Sequence, residues 1–282
     1  MSEATLYIAW QDAERRRWYP VARLDRSADH FVFEYLRGAA AAATESEFGG
    51  FLEFPSTLDR YRSKELFPLF RNRILSKSRP EYADVMHWLD LEAGELEPID
   101  AELEVLGRSH GLRGTDRLQL FAPPRLREDG RWGVTFLVHG SRHLKRRGGE
   151  VFEALAPGDR LLPMLDMENE QDPGAVCLRT DDGHSSGLLV VGYLPRFFAP
   201  FVYRALESQT AEMRGREPID VAIEVVRVNS AATTPMAYRL LCRMTWPSDS
   251  VVGASMPGES FESAVGDEGV AAQLNPLRRH PA

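Results

Sequence analysis

TLYIAW (5–10) and RWYPVARLDR (17–26) are aromatic and β-branched runs, and in HFVFEYLR (30–37) apolar and polar positions alternate with a period of two. That period is the mark of strands with one buried face. The polar stretch between the first two predicts a hairpin, with the third segment as its neighbour. GAAAAATESEFGG (38–50) has no capping pattern and is flanked by glycines, so a loop is expected. Spacing then shifts towards 3.6. Leu66, Phe67, Leu69, Phe70, Ile74 and Leu75 predict a helix over 63–78, with Ser63 as N-cap and Pro68 near its true start. Residues 79–91 and 97–111 predict two more helices, the second stopped at Gly111. DRLQLFAPP (116–124) reads as a strand ended by prolines.

Beyond residue 125 the pattern is many short strands separated by turn residues. Strands are predicted at 132–139, 159–165, 175–179, 188–194, 219–228 and 237–244, with short helices near 150–155 and 196–206. The expected class is α+β. It comprises an N-terminal small β-barrel or sheet with a three-helix segment (1–124), and a small OB-like β-barrel with two short helices (125–246). Residues 247–282 are rich in Gly, Ser, Pro and acids and read as a disordered tail.

Composition narrows the functional classes. Among 282 residues, 43% are hydrophobic and 27% charged, the balance of a globular domain protein, and no apolar run approaches the ~18 residues of a membrane helix. The first residues lack a basic start followed by an apolar core, so the cytoplasm is expected and no membrane partner. Cys177 and Cys242 sit in apolar strand runs and read as buried free thiols. A net charge of −8 argues against wholesale coating of a polyanion. Its distribution is uneven. Residues 60–79 are basic (Arg60, Arg62, Lys64, Arg71, Arg73, Lys77, Arg79) and 88–104 acidic. Such blocks are solvated helix faces or a docking surface for a protein partner, so residues 60–104 are a candidate adaptor face.

The chemistry-bearing stretch is LDMENEQDPGAVCLRTDDG (165–183). Asp166, Glu168, Glu170 and Asp172 alternate like calcium ligands, but the sixth and twelfth loop positions hold Gln171 and Cys177 where an EF-hand needs Gly and Glu. His139 and His143 straddle Gly140 and lack the accompanying pattern of a zinc site. No metal or other cofactor is expected. No nucleophile elbow or Walker loop is present, and the adjacent Ser109 and His110 cannot face one another as nucleophile and base, so no enzyme activity is expected. Nucleic-acid binding fits better. In FLVHGSRHLKRR, Gly140 permits close backbone approach; Arg142, Lys145 and Arg146 suit phosphates, and His143 suits stacking on a base. Asp172, at a Pro-Gly turn, has two readings. It caps the turn, or it accepts a hydrogen bond from a terminal sugar hydroxyl, the one donor a polyanion offers at its end.

Four spaced blocks carry a resemblance. They are Gly140, Arg142 and His143; Gly158 and Asp159; Asn169, Asp172, Ala175 and Val176; and Gly192, Tyr193, Leu194 and Pro195. In this order, over about 132–245, they resemble the HIRAN domain family, OB-like barrels that bind single-stranded DNA at a free 3′ end. The resemblance implies that Asn169 and Asp172 lie at the terminal nucleotide, with Arg142 and His143 along the sugar–phosphate path and Tyr193 beside them. It implies single-stranded DNA or other nucleic-acid ends as partners and an accessory role in DNA repair or defence. Gln171 stands where the family often has an aromatic, and His143 where it often has Tyr. The first 80 residues, with YIAWQD, RRWYPVARLDR and ELFPLFRNRILSKSRP, are loosely similar to the N-terminal segment of HipA-type toxin kinases. No kinase loops follow, so kinase activity is not implied.

Overall fold

The structure is a computed structural model and describes residues 4–27, 29–91, 98–144, 151–181, 183–212 and 220–267. In chain order the first elements are β1 (Ala4–Gln11), β2 (Trp18–Ser27), β3 (His30–Tyr35), α1 (Gly38–Ser46), β4 (Tyr61–Ser63) and α2 (Pro68–Arg71). Next come α3 (Tyr82–Trp88), α4 (Pro98–Ser109), β5 (Leu118–Phe121), β6 (Arg125–Leu126) and β7 (Arg131–Leu137). The rest are β8 (Arg160–Leu165), β9 (Val176–Thr180), β10 (Val190–Tyr193), α5 (Ala199–Glu212), β11 (Ala222–Val228) and β12 (Leu240–Pro247). They form two units. One comprises Met1–Tyr82, Ala93–Pro123 and Met256–Ala282; the other Ala83–Glu92 and Pro124–Ser255.

Unit 1 is built on an antiparallel sheet of order β4-β3-β2-β1-β5. The three runs read as strands in the sequence pair in register: Leu6 opposes Leu24 and Leu24 opposes Phe33, all fully buried on one face. Residues 38–46 are helical, not a loop. No side chain caps α1, but Ala39, Ala40, Ala42 and Ala43 are buried, and Gly38 lies so close to Pro20 that a Cβ would meet its carbonyl oxygen at 2.1 Å. Small residues that let the backbone approach the sheet, not a cap, hold this helix.

The long helix expected over 63–78 shrinks to one turn. Ser63 ends β4, Pro68 opens α2, and the helix stops after Arg71. Its apolar residues instead feed an aromatic cluster. Phe54 stacks on Phe33 at 3.7 Å between centroids and meets Phe67 edge-on at 5.0 Å. Tertiary packing overrides the helical spacing. α4 forms as expected and ends where His110 and Gly111 take left-handed conformations, φ 58° and 52°. α3 forms too, but it belongs to unit 2. Asn229 donates to the Trp88 carbonyl at 3.0 Å, and the Trp88 and Tyr238 rings lie 5.6 Å apart.

The expected tail also differs. Val252 is fully buried in unit 2, with Trp246 Nε1 donating to the Gly253 carbonyl at 2.9 Å. Residues 256–267 return to unit 1, where Ser263 bridges Leu36 and Phe261 meets the Tyr7 ring edge-on at 5.1 Å. The remainder of the tail, 268–282, lies outside the described residues.

Unit 2 holds an antiparallel sheet of order β10-β9-β8-β11-β12-β7-β6 around Phe136, Leu161, Leu178, Ile223, Leu241, Met244 and Trp246. The 3-10 turn Arg196–Phe198 runs into α5, whose Phe201 stacks on Trp246 at 5.0 Å. The α+β class holds. The first half, expected as a small barrel or sheet, is a sheet; the OB-like barrel expected for the second half does not close among the described residues. In unit 2 one isolated bridge, His139 to Tyr193, joins the chain just past β7 to the edge strand β10. Of the helix expected near 150–155, residue 150 lies outside the described residues, Val151 and Phe152 are helical, and a turn follows at 153–154. No helix among the described residues is long and apolar enough to cross a membrane.

Candidate functional site

The site is organised by that single bridge. His139 N–H donates to the Tyr193 carbonyl at 2.9 Å, and Tyr193 N–H to the His139 carbonyl at 2.8 Å. Two glycines make the approach possible. At Gly192 (φ 147°) a Cβ would lie 2.4 Å from Val138 Cγ1 and 2.6 Å from the His139 carbonyl oxygen. At Gly140 (φ 68°) it would lie 2.8 Å from Tyr193 Cδ2. Neither position takes a side chain without moving backbone or ring. The Tyr193 ring therefore sits against the turn that carries Arg142, which is exposed. His143 lies in the same 3-10 turn, Ser141–His143, with its side chain outside the described residues. Lys145 and Arg146 also lie outside them.

Across from this turn is the β8–β9 loop, which bonds itself into shape. Asp166 N–H donates to the Ala175 carbonyl at 3.0 Å and closes its base. Asn169 Oδ1 accepts the N–H groups of Gln171 and Asp172, each at 3.0 Å. Asp172 Oδ1 accepts Gly174 N–H at 3.2 Å, the turn-capping role that the sequence left open. The other oxygen, Oδ2, accepts from Arg196 Nη2 at 2.7 Å. The side chains of this pair are 25% and 32% exposed, so water reaches both. Asp166 Oδ2 accepts from Asn169 Nδ2 at 3.1 Å and from Tyr193 Oη at 2.8 Å.

The electrostatics follow from these contacts. Burial, reinforced by the Asp166 carboxylate, pushes the Tyr193 phenol up to about 12, so it remains a donor throughout the physiological range. Burial lowers Arg196 from its usual value, against the pull of Asp172. Burial and Asp166 raise the Cys177 thiol to about 11, which leaves it inert as a nucleophile. Asp166, which alternates with its neighbours like a calcium ligand in the sequence, is bonded within the loop. Among the described residues no three His, Cys, Asp or Glu gather as a metal site.

Of the residues singled out by sequence, Asn169, Asp172 and Tyr193 come together in one hydrogen-bonded network, with the Arg142 turn packed on Tyr193. Sequence reasoning weighed Asp166 only as a calcium ligand and passed over Arg196 and Tyr203, whose hydroxyl is 4.0 Å from where a Cβ on Gly174 would stand. Arg196 directly follows the Gly-Tyr-Leu-Pro block, and a basic residue opening a helix beside an acidic loop was the available signal.

No family model matches the chain, and no curated protein matches it. Among solved structures, the crystal structure of the HIRAN domain of human HLTF is similar at 14% identity. The match covers 54% of this chain and 95% of that one, with a TM-score of 0.27.

Proposed function

We propose that unit 2 binds nucleic-acid strand ends, single-stranded DNA with a free 3′ hydroxyl above all, and that the chain does so without catalysing a reaction. The observation that carries this reading is the partly exposed Asp172–Arg196 pair, beside the Tyr193 ring and the Arg142 turn. Each Asp172 oxygen accepts one protein donor, which leaves a lone pair on each for a ligand. A carboxylate repels the middle of a polyanion. At a strand end it meets a hydroxyl donor, while the guanidinium groups of Arg196 and Arg142 suit the adjacent phosphates. The residue pattern shared with the HIRAN family supports the same reading and suggests an accessory role in DNA repair or defence.

Charge supports a compact site over a long track. Residues 131–246 carry 14 Lys+Arg and 14 Asp+Glu, so few phosphates are neutralised and affinity should fall only gently with salt. The alternative adaptor face over 60–104 has less charge to offer than its sequence suggests. Arg60 pairs with Glu34 at 2.7 Å and Arg73 with Asp116, both inside unit 1, while Asp90 pairs with Arg227 inside unit 2.

Fluorescence anisotropy with a labelled single-stranded oligonucleotide tests the proposal. The 3′-hydroxyl form should bind at least about tenfold more tightly than the 3′-phosphate form, because the phosphate removes the donor and sets charge against Asp172. Equal affinity for the two forms refutes it.

A further inference from the structure

One carboxylate of the loop has no assigned part in ligand binding, yet it accepts two of the site's side-chain hydrogen bonds. Register places it. Met164 opposes Cys177, and Cys177 opposes Tyr193, so these three side chains share one face of the sheet. Asp166, two residues beyond Met164, continues on that face and receives the Tyr193 hydroxyl. The Asp166 carboxylate raises both the Cys177 thiol and the Tyr193 phenol, in agreement with this shared face.

We propose that Asp166 is the positioning residue of the strand-end loop: its Oδ2, shared by Tyr193 Oη and Asn169 Nδ2, fixes the orientation of the Asn169 amide and, through it, of Asp172. This inference rests on the strand-end reading of the site. A side-chain amide can be turned either way round. With Nδ2 held by Asp166, Oδ1 faces into the loop and takes the N–H groups of Gln171 and Asp172. Turned the other way, the amide would present Nδ2 to those two N–H groups, donor against donor, and both bonds would be lost. The Asp172 backbone so fixed sends Oδ1 to Gly174 and Oδ2 to Arg196. On its other side Asp166 grips the phenol whose ring lies against Gly140. One oxygen atom thus ties the acidic loop to the Arg142 turn without itself facing the ligand.

The test combines two readouts on the full chain. The first is hydrogen exchange of the Gln171 and Asp172 amides, followed by NMR without DNA. The second is the affinity ratio for 3′-hydroxyl over 3′-phosphate oligonucleotide. Asp166→Ala should speed exchange at both amides about tenfold and bring the affinity ratio close to one, with the amides of β11 and β12 as protected as before. Asp166→Asn, which keeps an acceptor oxygen of the same reach, should restore most of both. Unchanged exchange at residues 171 and 172 in Asp166→Ala overturns the proposal, and so does an undiminished end preference. If the unaltered chain shows no end preference at all, the strand-end reading fails by itself. The exchange arm then still decides whether Asp166 holds the loop.

Discussion

Two of the carboxylates that pair with arginine have contrasting settings. Glu34 lies 2.8 Å from Arg23 and 2.7 Å from Arg60; Asp172 lies 2.7 Å from Arg196. Glu34 is 1% exposed and stands on β3, in register with Arg23 on β2, which in turn opposes Tyr7 on β1. Its pairing is a requirement of folding, because a carboxylate so deep must be compensated. Asp172 stands on a loop, a quarter exposed, with a lone pair to spare on each oxygen. A pair of this second kind adds little stability and can exchange water for a ligand. The same two functional groups, carboxylate and guanidinium, thus act as scaffold in one unit and as a candidate site in the other, and burial separates the roles.

The strongest way to break that contrast is Glu34→Ala. Removing one partner of a buried ion pair should cost unit 1 about 3–4 kcal/mol, read by urea unfolding, because the Arg23 guanidinium loses its deepest partner. Oligonucleotide affinity should be unaffected. A loss under ~1 kcal/mol would place Glu34 in the same class as Asp172.

Acid should separate the units next. His110 is wholly buried in unit 1, and burial depresses it from 6.5 to about 4. The fold therefore favours the neutral ring. Its stabilisation is complete above pH 6.5 and drains away as pH falls towards 4, where the unfolded chain gains a proton that the folded one resists. The loss is on the order of 3 kcal/mol. His110→Asn should flatten this part of the pH–stability curve. Asparagine tolerates the left-handed backbone at this position (φ 58°), and its amide can replace Nδ1 at the Leu120 carbonyl.

Gly192→Ala sharpens the comparison from the side of the site. The new methyl would collide with the His139 carbonyl, open the bridge and cost unit 2 about 2 kcal/mol, with loss of oligonucleotide binding. The smallest expected change in stability comes from Asp172→Ala. It should cost less than ~1 kcal/mol, yet end preference should vanish. Thermal unfolding paired with anisotropy measures both effects at once.

Much of the fold was legible because it rests on local pattern. Aromatic and β-branched runs announce β1 and β2, alternation announces β3, and Gly111 announces the end of α4. What stayed hidden depends on distant partners. α1 is held by alanines against a sheet rather than by a cap, and residues 63–78 yield to an aromatic cluster assembled around Phe33 and Phe54. The returning segment 256–267 looks polar, yet it places Phe261 on Tyr7 across most of the chain length. In the site, Gly140 and Asp172 were legible because turns and close approaches demand particular residue types, whereas Asn169, Gly192 and Tyr193 were picked out by the resemblance to the HIRAN pattern. Arg196 and Asp166 were not. Their roles are set by which side chain lies opposite in space, and nothing in the spacing of their own segments encodes that.

The most direct measurement is a titration of the isotopically labelled full chain with a short single-stranded oligonucleotide bearing a 3′ hydroxyl, followed through backbone amide shifts. The account predicts perturbations concentrated at residues 139–142, 166–175 and 193–196, with the β1–β5 sheet silent. Perturbations centred on unit 1, or none in the Asp172 loop at saturating oligonucleotide, would contradict it.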